Sequence, residues 1–162
     1  MSAAATFDSL VGDLDYPMFI VTATAGDDRA GCLIGFATQT SIDPRRFLVC
    51  LSRRNRTYRV ARRSDLLGVH FVPSEATDLA ELFGGATGDE VDKFAAVDWH
   101  PGEGGVPIVE ACPNWFVGRV LDRMEAGDHD AFLLEPVDAQ QGRAAAEFTF
   151  HRAKRIEPGH EA

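Results

Sequence analysis

The sequence predicts a mainly β protein with short helices, a β-barrel with helices inserted between its strands, and three observations carry that reading. About six or seven apolar or alternating runs, rich in β-branched and aromatic residues, are bounded by clusters of Gly, Pro, Asn and Asp. The helical segments between them are few and short, which disfavours the regular alternation of a parallel α/β sheet. The 162 residues, 45% apolar and 25% charged, suit one soluble domain over residues 1–162, its core at about 10–155. A chain of this length buries a core without disulfide or metal staples.

Taken in order, residues 18 to 24 form an apolar, β-branched strand, Gly26-Asp27-Asp28 a turn, and Gly31 to Thr40 a second extended run, together a hairpin ended by Ser41-Ile42-Asp43-Pro44. Phe47 to Leu51 is too short for a helix and reads as a central strand. Asn55, Arg56 and Thr57 open about two turns of helix, with Asn55 and Thr57 as N-cap types, before Ser64-Asp65. Leu66 to Val72 is a strand stopped by Pro73. Ser74 is expected to cap a helix through Phe83 that Gly84-Gly85 terminates, with a second short helix from Asp89 to Phe94. His100 to Pro107 reads as loop, Trp115 to Arg123 and Ala131 to Val137 as strands joined through Gly127-Asp128-His129, and Glu147 to His151 as a last strand.

Charge and composition exclude several classes. The net charge is −9, yet Arg45 to Arg63 holds eight of the sixteen basic residues and no acid, leaving −17 elsewhere. Such an acidic body repels a phosphate backbone, so no nucleic-acid partner is expected, and one basic segment on it suits a local anion site. No run approaches the roughly eighteen apolar residues of a membrane span, and the first residues lack the pattern of a secretory signal, so a cytoplasmic protein without membrane attachment is expected. Three widely spaced cysteines, Cys32, Cys50 and Cys112, fit reduced thiols better than a disulfide framework or a zinc site. Rossmann, Walker, nucleophile-elbow and His-Glu-x-x-His signatures are absent.

Two segments could carry chemistry. After the strand Phe47 to Leu51, Ser52-Arg53-Arg54-Asn55-Arg56-Thr57 sets hydroxyl, amide and guanidinium donors around a helix start, the parts of a phosphate site. A capped, solvent-facing helix with surface arginines is the commoner fate of such a run. His129, in the turn Ala126 to His129, either meets a ligand or packs locally, and Lys93 in Asp92-Lys93-Phe94 reads most simply as a helix-end cation.

These pieces in order resemble the flavin reductase-like, FMN-binding split-barrel family, which includes the reductase components of two-component flavin monooxygenases. The matching stretches are Tyr16 to Thr22, Ala30 to Pro44 with its Ser-x-Asp-Pro ending, Phe47 to Thr57, Asp92 to Phe94 and Gly127 to His129, within roughly residues 10 to 138. The resemblance implies an FMN-binding split β-barrel homodimer that passes hydride from NADH or NADPH to FMN or FAD, with a flavin-dependent monooxygenase as the partner receiving reduced flavin. By that resemblance Leu33, Ile34, Gly35, Phe36 and Ala37 line the flavin, and Ser52, Arg53, Asn55, Arg56 and Thr57 take its phosphate. Lys93 and Phe94 border the flavin or nicotinamide, and His129 orients the nicotinamide side. The chain departs from the family at Leu33 and Gly35, where many relatives carry Thr and Ser or Asn, and at Phe36, where a small residue is common, and Arg45 replaces the second Pro of the usual Asp-Pro-Pro. Lost side-chain donors shift ring contacts to backbone N–H groups, and a crowded ring face keeps a non-catalytic flavin carrier or sensor as the alternative function.

Overall fold

Helix α1 (Ala3–Gly12) opens the chain, and the Ser2 hydroxyl accepts the Ala5 N–H at its start. Sequence reading missed this helix. β1 (Phe19–Ala25) and β2 (Asp28–Ile34) then form the expected hairpin, turned at Gly26, whose φ of 59° suits a residue without Cβ. β1 is buried on both faces: Phe19, Val21 and Ala23 point into the barrel, Ile20 into a second core outside it and Thr22 beneath the segment around Pro107.

The long extended run after the turn is broken at Gly35 and Phe36. β3 (Ala37–Ser41) continues from there and pairs with β4 (Arg46–Ser52), whereas β2 pairs with β1. After α2 (Arg56–Ala61) come β5 (Leu66–Phe71), α3 (Thr77–Gly85), the short strands β6 (Trp99–Pro101) and β7 (Pro107–Val109), then β8 (Trp115–Glu125), β9 (His129–Gln140) and the single turn α4 (Phe150–Ala153). The main sheet is antiparallel in the order β2-β1-β5-β8-β9-β4-β3. Its two edge strands are therefore consecutive pieces of one run, and the sheet curls until they meet at Gly35-Phe36, where the Cys50 N–H donates to Phe36 O at 2.9 Å. This is a split β-barrel, as expected. The computed structural model describes residues 2–143, 146–157 and 159.

Inside the barrel, Phe19, Phe47, Phe71 and Phe116 form an edge-on cluster with ring centroids 5.1 to 6.5 Å apart. The outer core packs α3 and residues 148–156 against β1 and β2. The β6–β7 hairpin is tied on by the Thr22 hydroxyl, which donates to Pro107 O at 2.7 Å, and by His70. Gly68 permits this closeness, since a Cβ there would stand 2.4 Å from Thr22 Oγ1. Gly68→Ala is expected to cost about 2 kcal/mol of stability, measured by urea unfolding with unchanged m-value.

Several sequence expectations need correction. α3 begins at Thr77, not at a Ser74 cap, because the Ser74 N–H is taken by Ala146 O in a bridge alongside Pro73 and Glu147. The helix expected from Asp89 to Phe94 shrinks to a 3-10 turn, Lys93–Ala95, capped by Asp92, and the Asp89 carboxylate binds Arg59 instead. The loop read from His100 to Pro107 is largely the β6–β7 hairpin with a 3-10 turn at its tip. Glu147 to His151 makes two isolated bridges, to Pro73 and Pro17, and then turns helical. Both partners are prolines, which lack the N–H that would extend a ladder.

Candidate functional site

β2 is an edge strand along this stretch, so one row of its backbone groups faces away from β1. Gly31 O, on that row, accepts from Lys93 Nζ at 2.9 Å, and Arg29 O lies 3.4 Å from Arg56 Nη2. The two-residue alternation of a strand places the Leu33 N–H and C=O on the same row. A cleft of about 330 Å³ opens there, walled by Arg29 to Gly31, by Arg56 and Thr57 at the start of α2, and by residues 88–94.

Three cations from three elements reach this cleft. Lys93 is buried, its Nζ donating to Gly31 O and, at 3.1 Å, to Phe83 O, with no carboxylate within salt-bridge distance among the described residues. Burial lowers its pKa from the ordinary lysine value. Among the described residues Arg56 is held at long range, 3.4 Å from Arg29 O and 3.8 Å from Asp28 Oδ1. Arg29 stacks on Trp99 at 4.7 Å. Asp27, Asp89, Glu90 and Asp92 stand on the same walls, so the cleft is mixed in charge at its rim and cationic at its inner wall.

The arginine-rich run is largely consumed by ion pairs. Arg46 binds Glu135 at 3.3 Å, Arg59 both oxygens of Asp89 at 2.7 Å, and Arg63 Asp28 at 3.0 Å, while Arg62 covers the Tyr58 ring. Arg53 Nε donates to Asp130 at 2.7 Å. Asp130 is buried; burial alone would raise its pKa, but hydrogen bonds from Arg53 and Tyr58 hold it below the usual carboxylate value. Much of the run thus pins the turn at Asp28 and the segment at Asp89 to the barrel. Those partners, distant in sequence, could not be read from the run itself.

Of the residues singled out from sequence, the fold gathers Arg56, Thr57, Lys93 and Phe94 around the cleft. Ser52 and His129 face each other across β4 and β9, and the Phe36 ring lies 5.0 Å from the His129 ring, so these three form a second corner. His129 Nδ1 is 2.7 Å from Asp128 Oδ1, and this hydrogen bond lowers the Asp128 pKa. Asn55 joins the corners by capping α2, its Oδ1 accepting the Thr57 N–H at 2.9 Å. Leu33 packs its side chain into the outer core and so presents backbone to the open edge, whereas Ile34 and Ala37 pack into the barrel core, Ile34 paired with Phe19 of β1 and Ala37 with Val49 of β4, and neither lines the cleft. Gly35 has no room for a side chain, because a Cβ would lie 2.6 Å from the Tyr16 ring, which stacks on Phe150. Arg53 is committed to Asp130 and does not line the cleft. Sequence reasoning missed Arg29 and Gly31, whose place depends on which edge of β2 stays open.

The arrangement can bind an anionic, partly planar ligand. The open edge offers backbone hydrogen bonds, Arg56 and Thr57 offer a phosphate charge-assisted donors, Lys93 adds a buried positive charge beside the edge, and Phe36 and His129 offer ring faces. His100 and Glu110 pair outside the cleft, and no cluster of metal-ligating side chains occurs among the described residues. No helix among them is long and apolar enough to cross a membrane.

Comparisons with known proteins point to one family. A "Probable flavin reductase" of Rhizobium meliloti is 34% identical over 67% of this chain, though the chain spans only 35% of that relative's length. "FMN reductase (NADH) RutF" of Bradyrhizobium diazoefficiens is 29% identical over 75% of this chain and 67% of its own. The reductase component of a 4-nitrophenol 4-monooxygenase/4-nitrocatechol 2-monooxygenase of Rhodococcus opacus is 32% identical over 85% and 72%. Among solved structures, the NADH:FAD oxidoreductase SgcE6 of Streptomyces globisporus shares the fold with a TM-score of 0.84 at 22% identity, covering 93% of this chain and 90% of that one. Residues 11–157 match the family described as flavin reductase like domain, and the chain belongs to that family.

Proposed function

We propose that the protein is an NAD(P)H-dependent flavin reductase, one domain over residues 1–162 with its core at about 10–155, acting in the cytoplasm as a homodimer and passing reduced flavin to a monooxygenase. The observation that carries this reading is the convergence of Arg56, Thr57 and Lys93 on the open edge of β2, in a chain of this family. The residues fit a flavin mononucleotide: Arg56 and Thr57 for its phosphate, Lys93 and the backbone groups of Gly31 and Leu33 for the ring edge, and small Gly35 backed by Tyr16. FAD fits the same ring and phosphate contacts. When bound, the flavin supplies hydride acceptance at N5 from nicotinamide C4.

The protein's own part is positioning. Arg56 and Thr57 would hold the phosphate, Lys93 would set positive charge beside the bound flavin, and the Gly31 and Leu33 backbone would offer it hydrogen bonds. His129, oriented by Asp128, and Phe36 would shape the side on which a nicotinamide is received. Three free thiols, two of them buried, suit the reducing cytoplasm.

A flavin carrier or sensor is the second reading, favoured by Phe36, which is 56% exposed and leans over His129 where the nicotinamide would stack. One experiment separates the two. Protein loaded with FMN is mixed anaerobically with NADH or NADPH, and loss of flavin absorbance is followed by stopped flow. Rapid bleaching by either nicotinamide is expected, and bleaching no faster than free FMN would leave the carrier. Absence of any flavin binding in a fluorescence titration would overturn both.

A further inference from the structure

The cleft beside β2 has a direction. Gly31 and Leu33, whose open edge is assigned above to the flavin ring, lie toward the end of the strand, whereas Arg56 reaches Arg29 O and Asp28 toward its start. A ligand with its ring on the first pair and its phosphate on Arg56 would therefore point that phosphate at the β1–β2 turn. Residues 88–90 close on Arg56 from the other wall, and a Cβ at Gly88 would stand 3.0 Å from Arg56 Cδ. Past the guanidinium the walls turn acidic, with Asp27 and Asp28 on the turn and Asp89 and Glu90 opposite. The nearby cations are already engaged: Arg59 by Asp89, Arg63 by Asp28, and Arg29 by the Trp99 ring. Asp27 and Glu90 are exposed and have no cation within salt-bridge distance among the described residues.

FMN and FAD carry similar charge in different places. The phosphate of FMN is a terminal monoester with close to two negative charges at neutral pH, all of it on the group that Arg56 would meet. In FAD the same phosphate is an inner diester with one charge, and the second charge sits on the next phosphate, farther toward the rim. Moving a negative charge from beside a guanidinium to beside two unpaired carboxylates is unfavourable, by an amount that solvent moderates but does not cancel. We propose that Asp27 and Glu90 make this cleft selective for a flavin mononucleotide over a flavin dinucleotide. They act by repelling the competitor, and none of the groups assigned to the ring or to the first phosphate takes part. The inference rests on the flavin reading of the cleft and names which flavin it takes.

Fluorescence titration of the full chain with FMN, FAD and riboflavin tests it. FMN is expected to bind at least about tenfold more tightly than FAD. Asp27→Asn with Glu90→Gln narrows that ratio at least about threefold, and Asp27→Lys with Glu90→Lys at least about tenfold. Riboflavin, which has no phosphate, changes less than about twofold in both variants and so reports an intact ring site. FAD binding as tightly as FMN to the unsubstituted chain overturns the selectivity and leaves the reductase reading in place. A ratio that the neutral pair leaves unchanged does the same, whatever the lysines add. If none of the three flavins binds, the flavin reading itself falls and the selectivity with it.

Discussion

His70→Ala lowers the unfolding free energy by about 3 to 5 kcal/mol and the melting temperature by roughly 10 °C. His70 is fully buried, its Nδ1 2.9 Å from Ile20 O and its Nε2 3.0 Å from the Val109 N–H. A carbonyl only accepts and an amide N–H only donates, so the ring is neutral with its proton on Nδ1. Removing it leaves a carbonyl and an amide unpaired inside the protein, beside a cavity, and loosens the β6–β7 hairpin from the barrel. The unsubstituted protein shows the same group in its pH dependence. Burial pushes the His70 pKa from 6.5 down to about 4, against the weaker opposite pull of Ile20 O. The unfolded chain therefore binds a proton that the folded chain refuses between those values. This contribution is complete above pH 6.5 and is lost as pH falls toward 4, about 3 kcal/mol over the window. Urea unfolding at a series of pH values, compared with His70→Ala, isolates it; a variant with an undiminished fall in stability over that window would show that other groups cause it.

Arg56→Ala combined with Thr57→Ala weakens FMN binding about a hundredfold, roughly 3 kcal/mol, and changes riboflavin binding less than about twofold. The two ligands differ only in the phosphate, so the ratio reads the phosphate contact apart from any general damage to the site. Arg56 is the arginine of the run that lines the cleft while held, among the described residues, by long contacts, which leaves its guanidinium able to turn to an anion. Thr57 is buried at the first turn of α2 with its N–H already used by Asn55, so its hydroxyl is the group to test. Fluorescence titration with each flavin gives the ratio, and equal losses for FMN and riboflavin would place the phosphate elsewhere.

Much of the fold was legible because local signals and tertiary demands agree in it. Strand β1, with β-branched residues on both faces and Gly26-Asp27 after it, has no better use than the centre of a sheet. The order of motifs from Tyr16 to His129 likewise carried the family. Errors fell where a distant partner competed for a group: Asp89 looked like a helix start until Arg59 claimed it, and the last strand was cut short by the prolines it had to pair with.

The sequence by itself determined the class of the protein: a small antiparallel barrel, its capped turn after the central strand, and a concentration of arginine near that turn. Only the tertiary structure decided which arginines matter. Coulomb attraction acts through space, and acids at 28, 89, 130 and 135 come to the run only when β1–β2, the 88–94 segment and β9 fold around it. Those acids turn several of the arginines into fasteners and leave Arg56, with buried Lys93, facing the open edge of β2.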